Sequence, residues 1–188
     1  RDSIKLTSNT NKKRNERSNI MKIIHTAALH LGQVIYQNYD RCDEHRHFFD
    51  QLTAWCEEER PDALVVSGDI YDIQQPSAAT RKVFNDYFAS LQRSLPSMHI
   101  VVTAGNHDSA SRIQADHSVW ALHNTTLIGS SPSLDLLESE DEAWMDDYII
   151  RLGSGYIVAL PYMTGDRKEL IQRLLDKVAE ENTDVKPV

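Results

Sequence analysis

The sequence predicts an α/β fold in which a mostly parallel β-sheet is covered by helices. Short apolar segments alternate with longer segments of helical periodicity, as in strand–helix–strand units. The apolar segments are continuous rather than alternating, which is typical of strands buried on both faces. Three of them run into loops with polar side chains, and ligands of such sheets bind at the carboxyl ends of the strands. The pattern therefore predicts both the fold class and the place of a site.

Four apolar segments are predicted to form the parallel strands. A later pair is predicted to form a hairpin or neighbouring strands joined through Gly153 and Gly155. Residues 130–147 lie between the two groups and are predicted to be a polar, acidic loop. The six predicted strands are KIIHTA (22–27), ALVVSG (63–68), HIVVTAG (99–105), TTLIG (125–129), YIIRL (148–152) and YIVALPY (156–162).

The first predicted helix covers residues 41–59 and ends before Pro61, a helix stop signal. His45 and His47 are two positions apart on it and so face different ways, which predicts two surface residues. The apolar residues predicted for its core face are Phe48, Leu52, Trp55 and Cys56.

Three further helices are predicted. The second covers residues 77–95, the third covers residues 109–121, and the last begins with a capping box of Asp166 and Glu169. The apolar positions at helical spacing are Phe84, Phe88, Leu91 and Leu95 in the second helix, and Leu170, Leu174 and Val178 in the last.

The composition is that of one globular domain. The chain has 188 residues, of which 40% are hydrophobic and 26% charged. No apolar run approaches the roughly 18 residues of a membrane span, and no signal peptide is recognised. Cys42 and Cys56 fall on one predicted helix, roughly 21 Å apart at about 1.5 Å per residue, which is too far for a disulfide. These observations predict a cytoplasmic protein with free thiols and no membrane contact.

The charge is unevenly distributed along the chain. Residues 1–20 hold six basic and two acidic side chains, a net charge of +4. The formal net charge of the whole chain is −8, so residues 21–188 carry −12. An acidic body argues against a broad phosphate-binding surface but leaves room for a local DNA-binding patch. Residues 1–20 are predicted to be a disordered basic extension, either sequence foreign to or upstream of the domain or an arm for nucleic acid. The folded part is predicted to comprise residues 21–188.

The three strand-end loops carry the residue types that hold divalent metals. His30 lies in KIIHTAALHLG, Asp69 in ALVVSGDIYD, and Asn106, His107 and Asp108 in IVVTAGNHDS. Such an oxygen and nitrogen cage suits Mn, Mg, Fe or Zn, and a carboxylate such as Asp69 can bridge two cations. His107 could donate a proton to a leaving oxygen, with Asp108 orienting its imidazole. The chemistry predicted is phosphoester hydrolysis.

Each motif also has a structural interpretation. The Gly-Asp pair at Asp69 alone is as often a turn or a helix cap. His30 by itself is weak evidence for a metal site, because a histidine in a loop is more often structural. His117 and His123 are also predicted to be structural. The histidine within GNHD is harder to explain by a turn, because a turn needs Gly, Asn or Asp but not His.

Taken together, the motifs resemble a known family. The segments MKIIHTAALHLGQ, YDRCDEHRHFF, PDALVVSGDIYD, QPSAATRKVF and VVTAGNHDSASRI, in this order, resemble the SbcD family, the nuclease subunit of the bacterial SbcCD complex. The resemblance covers residues 21 to about 188, which it implies are the N-terminal part of the nuclease domain. It implies the calcineurin-like metallophosphoesterase fold, a layered sheet sandwich flanked by helices.

The resemblance also implies roles for individual residues. His30 is expected to bind one metal, Asp69 to bridge two metals, and Asn106 to bind the second, while His107 is the expected catalytic histidine. The implied cofactors are two divalent ions, Mn²⁺ foremost with Mg²⁺ as the other candidate. The implied substrates are DNA double-strand ends and hairpins, and the implied partners are an SbcC-like, SMC-type ATPase and a second nuclease subunit in a homodimer.

Two departures from the family pattern affect the expected activity. The first motif of the family is Asp-x-His, and position 28 here is Ala28. The later histidines of the family are expected beyond Val188, so that the fold would be incomplete at the C-terminus, with DVKPV as the start of a further strand. We therefore expect this chain to bind metal poorly and not to cut DNA by itself.

Two alternatives remain at this stage. Ala28 favours a catalytically inactive relative that serves as a scaffold for the ATPase partner and DNA, whereas the retained Asp69, Asn106 and His107 argue against it. A small-molecule phosphodiesterase of the same superfamily is the other alternative. The DEHRHFF and NHDSASRI segments, which resemble SbcD, argue against that function.

Overall fold

The structure is a computed structural model that describes residues 20–36 and 38–188. It contains eight strands and five α-helices in these ranges. The strands are β1 (Ile23–Ala27), β2 (Val34–Ile35), β3 (Tyr39–Asp40), β4 (Ala63–Ser67), β5 (His99–Thr103), β6 (Thr125–Ile128), β7 (Ile149–Leu152) and β8 (Gly155–Val158). The helices are α1 (Cys42–Glu59), α2 (Ala78–Ser94), α3 (Ala110–Ala115), α4 (His117–Ala121) and α5 (Lys168–Glu181).

The central sheet has four parallel strands in the order β1-β4-β5-β6. Each strand pairs with the next in the sheet through a crossover, so the carboxyl ends of β1, β4 and β5 lie side by side. Strands β7 and β8 form an antiparallel hairpin, and β2 and β3 form a second, shorter one. The prediction of a parallel α/β sheet is confirmed.

Hydrophobic clusters cover the two faces of the sheet. Successive strand residues point to opposite faces, so β4 sends Leu64 and Val66 to one cluster and Val65 to the other. The first cluster packs the sheet against α1 and α2, and the second packs it against the β7–β8 hairpin and α5. The core positions predicted for α2 and α5 are all buried: Phe84, Phe88, Leu91, Leu95, Leu170, Leu174 and Val178.

The predicted core face of α1 is partly wrong. Trp55 is 50% exposed, and Phe49, which was not predicted, is buried and stacks on Tyr87 with ring centroids 3.9 Å apart. Phe48 packs only at the margin of the cluster. The buried face runs through positions 45, 49, 52 and 56, an interval pattern that fits 3.6 residues per turn.

The prediction that His45 lies on the surface is also wrong. His45 is only 8% exposed, and its Nε2–H donates to the carbonyl of Leu29 at 2.9 Å. The loop after β1 folds over the first turn of α1, which buries the imidazole and gives it a partner. His117, by contrast, is structural as predicted, because its Nδ1–H donates to the Leu127 carbonyl at 2.8 Å.

The C-terminal third departs from prediction in two further places. Residues 130–147 contain two 3₁₀ turns, Leu134–Glu138 and Ala143–Asp147, and Arg173 on α5 donates to carbonyls of the first turn. The predicted capping box does not form, because Arg167 occupies the N-cap and Asp166 accepts from the N–H of Lys168 instead.

Predictions were made for both ends of the chain, and the structure describes only the C-terminal end. Residues 1–19, where a disordered basic extension was predicted, lie outside the described residues. Residues 183–188 form no strand, although the carbonyl of Pro187 accepts a hydrogen bond from Tyr156 beside β8. Cys42 and Cys56 are both free thiols. Among the helices of the described ranges, none combines the length and apolar character needed to cross a bilayer.

Candidate metal centre

The loops after β1, β4 and β5 meet at one edge of the parallel sheet. Four backbone hydrogen bonds join the first loop to the second, among them those from Ala28 N–H to the Gly68 carbonyl at 3.1 Å and from His30 N–H to the Asp69 carbonyl at 2.9 Å. The N–H of Gly68 donates to the Thr103 carbonyl at 2.9 Å, which joins the second loop to β5. The predicted convergence of the three loops is confirmed.

Asp69 lies between the two site histidines. Its Oδ1 accepts a hydrogen bond from the backbone N–H of His107 at 3.0 Å. Its Oδ2 lies 3.9 Å from Nε2 of His30. The side chain is about four-fifths buried, so the neighbouring loops enclose the carboxylate while part of it still reaches solvent. This position between two loops is the one expected for a carboxylate that contacts a bound cation.

The first two loops hold non-glycine residues in the left-handed region of backbone space. The φ angles are 52° at Ala28, 47° at His30 and 47° at Asp69. Such angles are uncommon outside glycine, although Asn, Asp and His tolerate them better than other residues. Local strain of this kind concentrates at functional sites, where the surrounding structure maintains it.

Two glycines allow the second and third loops to approach each other. Gly68 has a φ of 71°, and a Cβ placed there would lie 3.1 Å from the Cα of Gly105. A Cβ on Gly105 would collide with the backbone N and the carboxylate of Asp69. The glycine before Asn106 is therefore required by the close approach of Asp69.

Asp72 is a site residue that the sequence analysis did not identify. Its Oδ1 lies 3.3 Å from Nδ1 of His30, and its backbone carbonyl accepts from Nδ1–H of His107 at 2.8 Å. The two imidazole rings are perpendicular, with centroids 5.0 Å apart. His30, Asp72 and His107 place potential ligand atoms within 4.8 Å of one another. The signal available in the sequence was the second aspartate of SGDIYD, three positions after Asp69.

Asp108 does not orient the imidazole of His107, contrary to prediction. Its carboxylate is buried and accepts three backbone hydrogen bonds, from Ile70 at 3.0 Å, Tyr71 at 2.9 Å and Gly105 at 2.8 Å. Asp108 therefore fastens the second loop to the third. The group that orients the imidazole is the carbonyl of Asp72, because a carbonyl can only accept and so fixes the proton on Nδ1.

The remaining predicted residues lie on the exposed side of the loops. Asn106 is exposed and directly precedes His107, and its assignment as a metal ligand stays a prediction. Ala28 is also exposed, two residues before His30, and its methyl group offers no ligand atom to a cation.

The surroundings of His107 raise the pKa of its imidazole. The backbone carbonyl of Asp72, which accepts from Nδ1–H, is the main cause that raises the pKa of the His107 imidazole. The carboxylates of Asp69, Asp72 and Asp108 add to the effect. Three carboxylates within one loop cluster also create a negative potential that attracts cations.

The residues present fit a divalent cation. Carboxylate oxygens and imidazole nitrogens are the ligands that Mn²⁺, Fe²⁺ and Zn²⁺ share. Nδ1 of His30 is buried, points at the Asp72 carboxylate, and has no hydrogen-bond partner among the described residues. A buried polar atom without a partner is rare in folded proteins and is explained when an ion occupies the space beside it.

Comparison with known proteins agrees with this geometry. The family model described as calcineurin-like phosphoesterase matches residues 21–184, which is most of the chain. The site residues and all three loops described above lie within that range.

Three relatives are named as a subunit of the nuclease SbcCD. The protein of Escherichia coli K12 is 36% identical over 111 residues, or 59% of this chain and 27% of that protein. The protein of Rhodobacter capsulatus is 38% identical over 99 residues, 53% of this chain and 24% of its own length. The protein of Bacillus subtilis is 33% identical over 109 residues, which are 58% of this chain and 27% of that protein. The matched stretch thus spans about a quarter of each relative.

Proposed function

The chain belongs to the calcineurin-like phosphoesterase family, and from this premise we propose that it carries the metal centre of a DNA phosphodiesterase, weakened at position 28. The observation that carries the proposal is the convergence of His30, Asp69, Asp72 and His107 at the carboxyl edge of the sheet. The three relatives named as nuclease subunits support a nuclease-type hydrolase.

The side chains divide between cation binding and proton transfer. His30, Asp69 and Asn106 are the proposed ligands of two divalent cations, with Mn²⁺ the preferred ion. When bound, such cations polarise a phosphate and activate water. The imidazole of His107 is held through Nδ1, which leaves Nε2 free to face a phosphate. The hydrogen bond to the Asp72 carbonyl raises the pKa of the imidazole, and the protonated imidazole is the form that can donate to a leaving oxygen.

The substrate and partners are proposed from the names of the relatives. A protein named as one subunit of the nuclease SbcCD implies a second kind of subunit, which we propose to be an SMC-type ATPase for this chain as well. The proposed substrates are DNA double-strand ends and hairpins, and the proposed assembly contains two nuclease subunits. The acidic body of the chain makes a broad DNA-binding surface unfavourable, so contacts near the metal centre would place the DNA.

Ala28 supports both a weakened enzyme and a scaffold. An alanine two positions before His30 removes one carboxylate, with its negative charge, from the position where the family pattern has a ligand. We therefore propose that the chain alone binds two cations poorly and cuts DNA slowly or not at all. The same observation favours a second candidate function, a scaffold that binds the ATPase partner and DNA without cleavage.

A cleavage assay with restored and unrestored variants tests the proposal. End-labelled duplex DNA, a DNA hairpin and bis(p-nitrophenyl) phosphate are incubated with MnCl₂ and the wild-type chain, Ala28→Asp, or Ala28→Asp combined with His107→Ala. We expect little cleavage by the wild type, faster DNA cleavage by Ala28→Asp, and loss of that gain in the double variant.

Each other outcome contradicts a part of the proposal. Equal and rapid cleavage by wild type and Ala28→Asp would show that position 28 does not limit the site. DNA binding without cleavage by either protein would favour the scaffold. Hydrolysis of bis(p-nitrophenyl) phosphate without any action on DNA would favour a small-molecule phosphodiesterase.

A further inference from the structure

We propose that three exposed tyrosines beside the candidate metal centre, Tyr36, Tyr39 and Tyr162, are stacking surfaces for unpaired bases of a DNA strand. The inference rests on the proposed function, because it assigns the residues that hold the strand while the centre acts on a phosphate. Stacking is a matter of binding alone, so it can be measured where no hydrolysis takes place.

The exposed aromatic side chains of the described residues are concentrated at the candidate metal centre. Single exposed apolar side chains are common on protein surfaces, but Tyr and Trp gathered at one place indicate a binding surface. In the part of the chain that the structure describes, four side chains of Phe, Tyr and Trp are exposed: Tyr36 (92%), Tyr39 (51%), Trp55 (50%) and Tyr162 (58%). The three tyrosines lie on segments that are hydrogen-bonded to the loops of the centre, and only the tryptophan lies elsewhere.

The hairpin of β2 and β3 carries the first two tyrosines and is anchored at both ends to the loops of the centre. Before β2, the N–H of Gln33 donates to the His30 carbonyl at 3.1 Å. The side-chain Nε2 of Gln33 donates to Oδ1 of Asp72 at 3.0 Å. After β3, Nη1 of Arg41 donates to Oε1 of Gln33 at 2.6 Å. The hairpin therefore projects from a residue that contacts the site carboxylate.

Tyr36 lies at the turn of this hairpin, three residues after Gln33. At about 3.4 Å per extended residue it is at most roughly 10 Å from Gln33, which is about three nucleotides of a stacked strand. Its φ is 48°, which is uncommon for a bulky residue, and strain of this kind concentrates at functional sites. Tyr39 pairs across the hairpin with Ile35, which is half-buried. The hairpin thus presents one tyrosine at its turn and one on its second strand.

Tyr162 lies beside the third loop of the centre. Its N–H donates to the carbonyl of Ala104 at 2.7 Å, two residues before Asn106 in the chain. The N–H of Ala104 donates to the carbonyl of Ile128 at the end of β6, at 2.9 Å. Because the N–H and C=O of a residue in an extended strand point to the same side, Tyr162 lies where β6 would continue. The segment after β8 is therefore a fourth segment at the carboxyl edge of the sheet.

The charge of the chain favours stacking as a source of affinity for DNA. Residues 21–188 carry a formal net charge of −12, which repels phosphates. A tyrosine ring is uncharged and stacks on any base, so it can hold a strand without additional basic side chains. Bases inside a duplex already stack on one another, so the tyrosines would contact the unpaired bases of ends and loops.

The arrangement of the tyrosines favours nucleic acid over a protein partner. The two groups, one on the hairpin and one after β8, are separated by polar side chains of the centre, among them Asp69 and His107. A protein interface has a fully buried apolar core, whereas a single strand presents separate bases along a phosphate backbone. A phosphate at the centre would place bases on both sides of it near these two groups.

Fluorescence anisotropy with a labelled thymidine oligonucleotide of about 12 nucleotides tests the proposal in the complete chain. Titrations in MnCl₂ and in EDTA compare the wild type with Tyr36→Leu, Tyr39→Leu and Tyr162→Leu, and with the phenylalanine variant of each, which keeps the ring. Trp55→Leu is the matched control, because this exposed aromatic residue lies near the far end of α1. A blunt duplex is the comparison substrate, and circular dichroism of each variant verifies the fold.

Photochemical cross-linking locates the contact directly. The same oligonucleotide is made with 5-iodouracil in place of single thymines and is irradiated in complex with the wild-type chain. Iodouracil reacts with an aromatic side chain that is stacked on it, and mass spectrometry of the digested complex identifies the residue.

We expect each leucine variant to bind the single strand about 5-fold more weakly or worse, the lower end for the loss of one stacked base. The phenylalanine variants and Trp55→Leu should bind it as the wild type does. The affinity for the blunt duplex should change little in any variant. Cross-links should form at Tyr36, Tyr39 and Tyr162.

Three results would overturn the proposal. Wild-type affinity in all three leucine variants would show that the tyrosines do not stack on bases and would favour a protein partner for them. Equal losses in the leucine and phenylalanine variants would assign the contact to the hydroxyl groups. Absence of single-strand binding in MnCl₂ would show that no strand is held. The cleavage assay is separate, so tyrosine-dependent binding without hydrolysis would contradict only the proposed function.

Discussion

Oδ1 of Asp69 accepts a hydrogen bond from the backbone N–H of His107 at 3.0 Å, so a side chain of the second loop fixes the backbone of the third. This contact requires the two loops to approach closely. The approach occurs at Gly105, where a Cβ would collide with the backbone N and the carboxylate of Asp69. The geometry of His107 therefore depends on a residue that has no side chain.

Gly105→Ala should separate the second and third loops and destabilise the fold. The methyl group meets backbone atoms that cannot rotate away, and overpacking of this kind costs about 1–3 kcal/mol. Urea unfolding of the variant measures the loss. Gly153→Ala is the matched control, because a Cβ there has no atom within 4 Å. Equal stability of the two variants would contradict the close approach of the loops.

Asp108→Asn should destabilise the loops by about 1–3 kcal/mol, because the buried carboxylate accepts three backbone N–H groups and an amide offers only one acceptor oxygen. Hydrogen exchange of the amides of Ile70, Tyr71 and Gly105 should accelerate together. Asp50→Asn, an exposed change on α1, is the control and should leave both measurements unchanged. If exchange at the three amides stays slow, Asp108 does not fasten the loops.

The sequence predicted the parts of the site that depend on topology. Parallel strands bring their carboxyl ends to one edge, so the alternation of strands and helices was enough to place His30, Asp69 and His107 together. It could not predict Asp72, whose role depends on a loop that turns its carbonyl towards His107 and its carboxylate towards His30. No periodic pattern in the sequence indicates these contacts of Asp72.

The wrong predictions for His45 and Asp108 have a similar origin. Both were judged from their neighbours in sequence, His45 from its spacing to His47 and Asp108 from its contact with His107 along the chain. Their partners come from distant loops instead, Leu29 for His45 and the backbone of residues 70 and 71 for Asp108. A buried polar side chain is placed by the partner that satisfies it, and that partner is known only from the fold.

The fold should become less stable as the pH falls below about 6.5, and His45 is one cause. This pH is the pKa of a histidine in an unfolded chain. Burial, helped by the charge of Arg41, lowers the pKa of His45 in the folded chain, and burial lowers that of His99 as well. The unfolded chain then takes up protons more readily than the folded chain. The stability these two histidines contribute is complete above about pH 6.5 and is lost as the pH falls towards their folded-state pKa values.

Urea unfolding of the wild type and of His45→Gln at pH 7.5 and pH 5.5 measures this contribution. A glutamine at this position can still donate to the Leu29 carbonyl but does not titrate, so the variant should lose less stability between the two pH values. The control is His47→Gln, an exposed change two positions away, which should keep the wild-type difference. A His45→Gln variant with the full wild-type pH dependence would rule out His45 as a cause.

Changes at position 28 separate backbone strain from metal binding. Ala28 has a φ of 52°, a conformation that costs an ordinary L-residue about 1 kcal/mol and that Gly adopts freely and Asp tolerates. Ala28→Gly should therefore raise the free energy of unfolding by up to about 1 kcal/mol, with no change in Mn²⁺ affinity. Ala28→Asp should stabilise less but should bind Mn²⁺ more tightly, because only it adds a carboxylate near His30.

Urea unfolding measures the effect of both changes on stability, and calorimetric titration with MnCl₂ measures their effect on cation binding. An Ala28→Gly variant no more stable than the wild type would contradict strain at position 28. Equal Mn²⁺ affinities of Ala28→Asp and Ala28→Gly would show that a carboxylate at this position adds no ligand to the site.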